Sequence, residues 1–185
     1  MTPLLVILLV LGALALAWAL AIYNRLVRLR QHVRESWSDI DVQLKRRHDL
    51  IPNLVSVVRG YAAHEREVLE RVTTLRADAA RRRDESAGPN AGEEPLCLAL
   101  GRLFAVAEHY PALRADAHFV ALQTELAETE DRIAAARRFF NANVRDFNTL
   151  CEQAPANLVA SAGGFRPVDF FELSDAAERV VPRAA

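Results

Sequence analysis

Residues Leu4 to Ile22 contain no charged or strongly polar side chain, and this run constrains the chain more than any other feature. As an α-helix it rises about 1.5 Å per residue and covers a bilayer hydrocarbon core of roughly 30 Å. Trp18 and Tyr23 stand near its downstream end, where amphipathic rings favour the headgroup layer. Arg25 is the first charge in the chain, and Arg28, Arg30 and Arg34 come after it, opposed only by Glu35. Nothing basic precedes the run, so the positive-inside rule places the N-terminus outside and the remainder on the cytoplasmic side. Ala17-Trp18-Ala19 and Ala19-Leu20-Ala21 resemble signal cleavage sites, which makes a released periplasmic domain the competing expectation. Met1-Thr2-Pro3 supplies no basic side chain, however, and the run exceeds an ordinary signal core. The expectation is an uncleaved transmembrane anchor over residues 1–24, touching the lipid bilayer through residues 4–22.

The chain beyond the anchor is long enough for one domain, and the whole chain is 51 % hydrophobic, which leaves enough apolar residues for a core. The net charge of −1 gives no long-range attraction to nucleic acid, and no aromatic-plus-basic pattern suggests it as a partner. Cys97 and Cys151 make neither a disulfide framework nor a zinc pattern and read as buried thiols.

No Gly or Pro occurs between Gly12 and Pro52, so the membrane helix is expected to run on into the domain as a stalk. Apolar residues then recur every three or four positions: Val33, Trp37, Ile40, Leu44, Ile51, Leu54, Val58, Tyr61, Val68, Val72 and Leu75. That is one face of a long amphipathic helix, interrupted at Arg47 and Glu65. Pro52 cannot donate to the carbonyl of His48 and should bend it, and Gly60 is a second weak point. Arg81-Arg82-Arg83 suit a helix C-terminus.

Residues 84–95, with Gly88, Pro89 and Gly92, read as the main loop. Glu93, Glu94 and Pro95 then start a short helix that stops or kinks at Pro111. A stricter stripe comes next, with Phe119, Leu122, Leu126, Thr129, Ile133, Ala136, Phe140, Asn143, Phe147 and Leu150 at a and d heptad positions. Pro155 ends that helix, and Gly163-Gly164 forms a joint before Phe165, Phe170 and Phe171. Asp175 and Glu178 are placed to cap a last short helix. No stretch alternates with period two, so the expected fold is all-α: a transmembrane helix followed by an antiparallel bundle of three to four long helices.

None of the five histidines has a Glu three residues before it, so the usual di-iron bundle site is missing. His64-Glu65 opens like the zinc-protease helix, but Val68 stands where its second His belongs. No phosphate-binding, dinucleotide-binding or nucleophile-elbow motif is present. The expectation is therefore no catalytic residue, no metal and no cofactor.

A polar cluster lies between Asp39 and Asn53. Asp39, Gln43, Arg46 and Asn53 line one helical face with Asp49 beside it, and Asp41 and Lys45 form an i,i+4 pair. Three readings stand: a solvated face, internal bonding of Arg47 and its neighbours at the Pro52 bend, or a partner-binding surface. Asp39, Arg46, Asp49 and Asn53 are the candidate partner-binding residues, with the Phe165, Phe170 and Phe171 cluster as the next place. Thr129 and Asn143 read as polar core contacts that set register.

Several blocks together resemble the LemA family. They are Tyr23-Asn24-Arg25-Leu26-Val27, the stretch from Trp37 to Arg47, and Asp49-Leu50-Ile51-Pro52-Asn53-Leu54-Val55. Gly60-Tyr61-Ala62, Leu100-Gly101-Arg102-Leu103, Tyr110-Pro111, Thr129-Glu130, Phe140-Asn141, Phe147-Asn148 and Gly164-Phe165 continue it in colinear order. Ser36 stands where Ala is usual and His48 where an aromatic is common. The resemblance implies a bacterial inner-membrane protein with a helical bundle over residues 25–172 and a tail over 173–185. It carries no catalytic residue over. The functional expectation is a non-enzymatic scaffold or adaptor module, with another envelope protein or a second copy as partner. A ligand- or metal-binding bundle enzyme is the alternative.

Overall fold

The computed structural model describes residues 2–84 and 92–172. Six helices occur there: α1 (Thr2–Tyr61), α2 (Arg66–Asp84), α3 (Glu93–Ala107), α4 (Pro111–Arg114), α5 (Ala117–Glu152) and α6 (Ala156–Ala162). No strand is present among the described residues, so the all-α expectation holds. The anticipated cap at Asp175 and Glu178 lies outside the described residues, as do residues 85–91 of the main loop.

The chain divides into two compact units. One comprises residues 1–37 and 139–170. Here the first half of α1 pairs antiparallel with the end of α5: Trp37 stacks near Phe140 with ring centroids 5.7 Å apart, and Asn143 Nδ2 donates to the His32 carbonyl at 3.4 Å. Ser36 is buried, and its hydroxyl bonds back to the carbonyls of His32 and Val33 at 2.8 and 3.0 Å. The small residue anticipated there is accommodated because its one polar group is satisfied within its own helix.

Residues 38–138, with Phe171 and Glu172, form the other unit among the described residues. Its core joins Leu50, Leu54 and Val58 of α1 to Val72 of α2, Leu96, Leu100 and Leu103 of α3, and Phe119 and Leu126 of α5. Burying each leucine-sized side chain contributes about 1.5–3 kcal/mol, which makes this stripe the main source of stability here. Of the expected α1 stripe, Ile40, Leu44, Ile51, Leu54 and Val58 are all nearly inaccessible. In α5, Phe119, Leu126, Thr129, Ile133, Phe140, Phe147 and Leu150 are buried likewise.

The stripe does not stay on one helix. The helical run breaks at residues 62–65, so Val68, Val72 and Leu75 belong to α2 rather than to a continuation of α1. The break falls just after Gly60, where helix propensity is weakest. Local bonds seal it: Ala62 N to Val58 O at 2.8 Å, Glu65 N to Ala62 O at 3.1 Å, and Leu69 N to Glu65 O at 3.2 Å. The third helix starts at Glu93 as its acidic residues and proline suggest, but ends at Ala107, and Pro111 opens a separate single turn, α4.

Two special positions shape the connections. Gly92 has φ 85°, and a Cβ there would meet the Ala79 backbone at 3.0 Å, so glycine lets the start of α3 lie against α2. Asp116 caps α5, its Oδ1 accepting from the backbone N–H groups of His118 and Phe119 at 2.8 and 3.0 Å. Those bonds, Phe119 first, with the Tyr61 hydroxyl at 2.8 Å from Oδ2, hold the Asp116 carboxyl below its usual pKa.

Candidate functional site

The gap at Arg47 in the apolar stripe is the chemical centre of the second unit. Leu44 precedes it by three residues and Ile51 lies four beyond it, so the guanidinium enters the core from the apolar face of α1 and is fully inaccessible. A buried cation needs partners. Glu93 of α3, 2 % exposed, pairs with Nη2. Glu130 of α5 accepts from Nη1 at 3.0 and 3.2 Å through its two carboxylate oxygens. The Cys97 sulfur lies 3.2 Å from the same nitrogen. Burial by itself would lower the Arg47 pKa; Cys97, Glu130 and Glu93 reverse that and raise it, so the charge is locked in.

His48 extends the cluster. Its Nδ1 lies 3.4 Å from Arg83 Nη1, and its Nε2 lies 3.4 Å from Glu93 Oε1. The arginine can only donate, so Nδ1 is the accepting side of that contact, and Nε2 faces the carboxylate. That contact is too long and misaligned to be a full hydrogen bond, so Arg47 is the principal partner of Glu93. Burial would raise the Glu93 pKa; His48 and Arg47 together hold it below the ordinary value instead. Arg83 also reaches Asp41 at 3.2 Å, and Asp41 takes its expected bond from Lys45 at 3.5 Å.

The backbone at this point is equally accounted for. Pro52 lacks the N–H that would occupy the His48 carbonyl, and Arg76 Nε of α2 donates to that oxygen at 2.9 Å. The side chain of a second helix thus replaces a main-chain bond that the sequence removes.

This constellation is closed to nucleophilic chemistry. Burial pushes the Cys97 thiol up to about 11, outweighing the adjacent Arg47, so it stays protonated near neutrality. The Arg47 group is a packing device: two carboxylates from distant helices fix the register of α1, α3 and α5.

The outward residues sit elsewhere. Asp39, Asp49 and Asn53 are exposed on α1. Arg46 is half-exposed and donates to Glu125 of α5 at 2.8 Å. Val42, absent from the sequence-based candidates, lies among them and is 56 % exposed. Asp39, Val42, Arg46, Asp49 and Asn53 are spaced three, four, three and four, so they form one face. The phenylalanines separate. Phe165 is buried in the first unit, with centroids 5.4 Å from Tyr23 and 6.3 Å from Phe147, and the Arg30 guanidinium 4.8 Å over its ring. Phe171 is buried in the second unit, and Phe170 is 36 % exposed. Glu93 read from sequence only as a helix start, and Glu130 carried no separate signal. The one clue to both was the arginine interrupting an apolar stripe.

One helix apolar and long enough to cross a membrane, leading into a helical domain with a neutralised, buried polar centre, defines a class of membrane-associated helical proteins. Within that class the chain belongs to the LemA family, whose model matches residues 36–184. It is 27 % identical over 176 residues to magnetosome protein MamQ of Magnetospirillum gryphiswaldense, covering 80 % of this chain and 64 % of that protein. Magnetosome protein MamQ 2 of Paramagnetospirillum magneticum is 26 % identical over 175 residues, with 81 % and 64 % covered. Protein LemA of Metamycoplasma hominis is 26 % identical over 152 residues, with 82 % and 69 % covered. The chain therefore spans about two thirds of these relatives' length, slightly less for the MamQ proteins.

Proposed function

We propose that the protein is a non-enzymatic, membrane-anchored interaction module. It acts as a scaffold or adaptor for another membrane or envelope protein, with its domain on the cytoplasmic side of a bacterial inner membrane. The observation that carries this reading is the exposed face of Asp39, Val42, Arg46, Asp49 and Asn53. An apolar side chain, Val42, stands open between Asp39 and Arg46, groups of opposite charge. Such a face supplies a small apolar contact with a polar rim, the composition of a docking surface. The Arg47 charge is paired inside the domain with Glu93 and Glu130, which favours binding over catalysis. The four arginines after the span support the cytoplasmic placement.

Photo-crosslinking from position 49 of the full chain in intact membranes, followed by identification of the captured protein, tests the reading. Val42→Asp combined with Asp39→Lys should abolish the crosslink. It should move thermal stability by no more than a few degrees, because exposed charges contribute only about 0–1 kcal/mol. Collapse of stability would make the face structural instead, and capture of a second copy would assign self-association. For sidedness, Asp49→Cys should resist an impermeant maleimide until cells are lysed; labelling before lysis would overturn the cytoplasmic assignment.

A further inference from the structure

The first unit carries a feature that neither the anchor nor the docking face uses. From Gln153 to Phe165 the chain has no charged residue, and α6 lies within this stretch. Ala156 and Ala160 are its buried side. Leu158 is 70 % exposed, as open as Leu9 of the apolar run at 66 %. A single exposed leucine is ordinary on a protein surface, so its meaning lies in what stands beside it.

The position of α6 supplies one. A Cβ on Gly163, directly after α6, would stand 3.2 Å from the Tyr23 ring and 2.7 Å from that of Phe165. Tyr23 is next in sequence to Ile22, the last residue of the apolar run. Within that run Ala19 and Ile22 are half-buried, whereas its other described side chains are exposed. Together with buried Leu26 they continue the packed side of α1 by steps of three and four. The folded part of this unit therefore reaches down to the last turn of the apolar run. The charges beside this end are Arg25 and Arg28, exposed on α1, and Arg166, exposed just after the segment. Glu152 and Asp169 are the acidic groups that bracket it in sequence.

We infer that the segment from Gln153 to Phe165 is a second membrane contact, lying in the headgroup layer beside the span. Leu158 supplies its apolar insertion, and Arg25, Arg28 and Arg166 meet anionic phospholipid headgroups. A short interfacial helix binds through buried apolar area and attraction to anionic lipid; here the segment supplies the apolar contact and the arginines outside it, Arg25, Arg28 and Arg166, supply the charge. The contact rests on the membrane-anchored reading of the chain. It gives the first unit a second attachment to the bilayer beside the span.

The test uses the full chain in vesicles of phosphatidylcholine containing one quarter phosphatidylglycerol. Nitroxide labels are placed at Leu158→Cys and, as a second exposed position of α6, at Ser161→Cys. Leu11→Cys marks the span, and Ala142→Cys marks the exposed side of α5. Buried Cys97 and Cys151 are controlled by labelling the unsubstituted chain. Accessibility to oxygen is compared with accessibility to a water-soluble nickel chelate. The expected result is a several-fold higher oxygen-to-nickel ratio at 158 than at 142, with 161 between them. A ratio at both 158 and 161 equal to that at 142, with 11 reporting lipid, overturns the inference and leaves the anchor standing. A watery signal at 11 removes the anchor and the inference together. Dipolar broadening between labels at 158, at a watery ratio, would assign the face to a second copy and also overturn the inference.

Discussion

Replacing Arg47 by Met keeps most of the side-chain volume and removes the charge, and it tests whether the buried cluster holds the bundle together. Glu93 is 2 % exposed, and its principal partner would be gone; Glu130 would lose both of its bonds to Nη1. Removing one member of a buried ion pair costs about 3–5 kcal/mol, because the partner charge is left uncompensated. For a chain of this size each kcal/mol moves Tm by roughly 2–4 °C, so the expected fall is on the order of 6–20 °C. Circular dichroism melts of the full chain in nanodiscs measure it. The pH dependence adds a sign. In the native protein the Glu93 pKa is depressed, so its contribution is present above its ordinary value of 4.5 and lost as pH falls through the lower folded-state value. Without Arg47, burial is opposed by His48 alone, so that pKa should rise from its native value. The acid-induced loss of stability should therefore shrink or reverse in the variant. Glu93→Gln added to Arg47→Met should restore part of the loss by removing the stranded charge. A loss under about 1 kcal/mol, or a deeper loss in the double variant, would refute the reasoning.

Three further outcomes rest on particular contacts. Arg76→Leu should cost about 1.5–3 kcal/mol in the native background but much less beside Pro52→Ala, because a restored amide N–H can occupy the His48 carbonyl; additive losses in denaturant titrations would show that the two do not share that oxygen. With its pKa near 11 and its sulfur buried, Cys97 should resist iodoacetamide at neutral pH until denaturant is added, as tracked by mass spectrometry; stoichiometric native labelling would contradict the closed site. Gly163→Ala should destabilise the first unit by about 1–3 kcal/mol, since the new methyl collides with the Phe165 ring; an unchanged melting curve would mean that the ring moves aside freely.

The elements and their inward faces could be read from residue order, because helical periodicity is a local property. A side chain's face depends on its neighbours three and four residues away, so the stripes of α1 and α5 were legible directly. The anchor was legible for a similar reason: an uninterrupted apolar run is a property of composition over one segment. The arginines at residues 81–83 and the acidic start at Glu93 marked the limits of α2 and α3 through the helix dipole. Local pattern did not show that the α1 stripe passes to α2 at residues 62–65, since the spacing continues smoothly across a turn.

Tertiary structure alone decided what becomes of Arg47. Periodicity placed a charge inside an apolar stripe, and solvation, internal pairing and partner binding all remained open. The choice was made by Glu93 and Glu130, which are remote in sequence and contribute from two other helices. Coulombic partners act through space and leave no periodic trace. The same holds for Arg76, which fills a vacancy that Pro52 announces but does not assign. It holds also for Leu158, whose exposure reflects where α6 stops against Tyr23 and Phe165 rather than anything in its own neighbourhood.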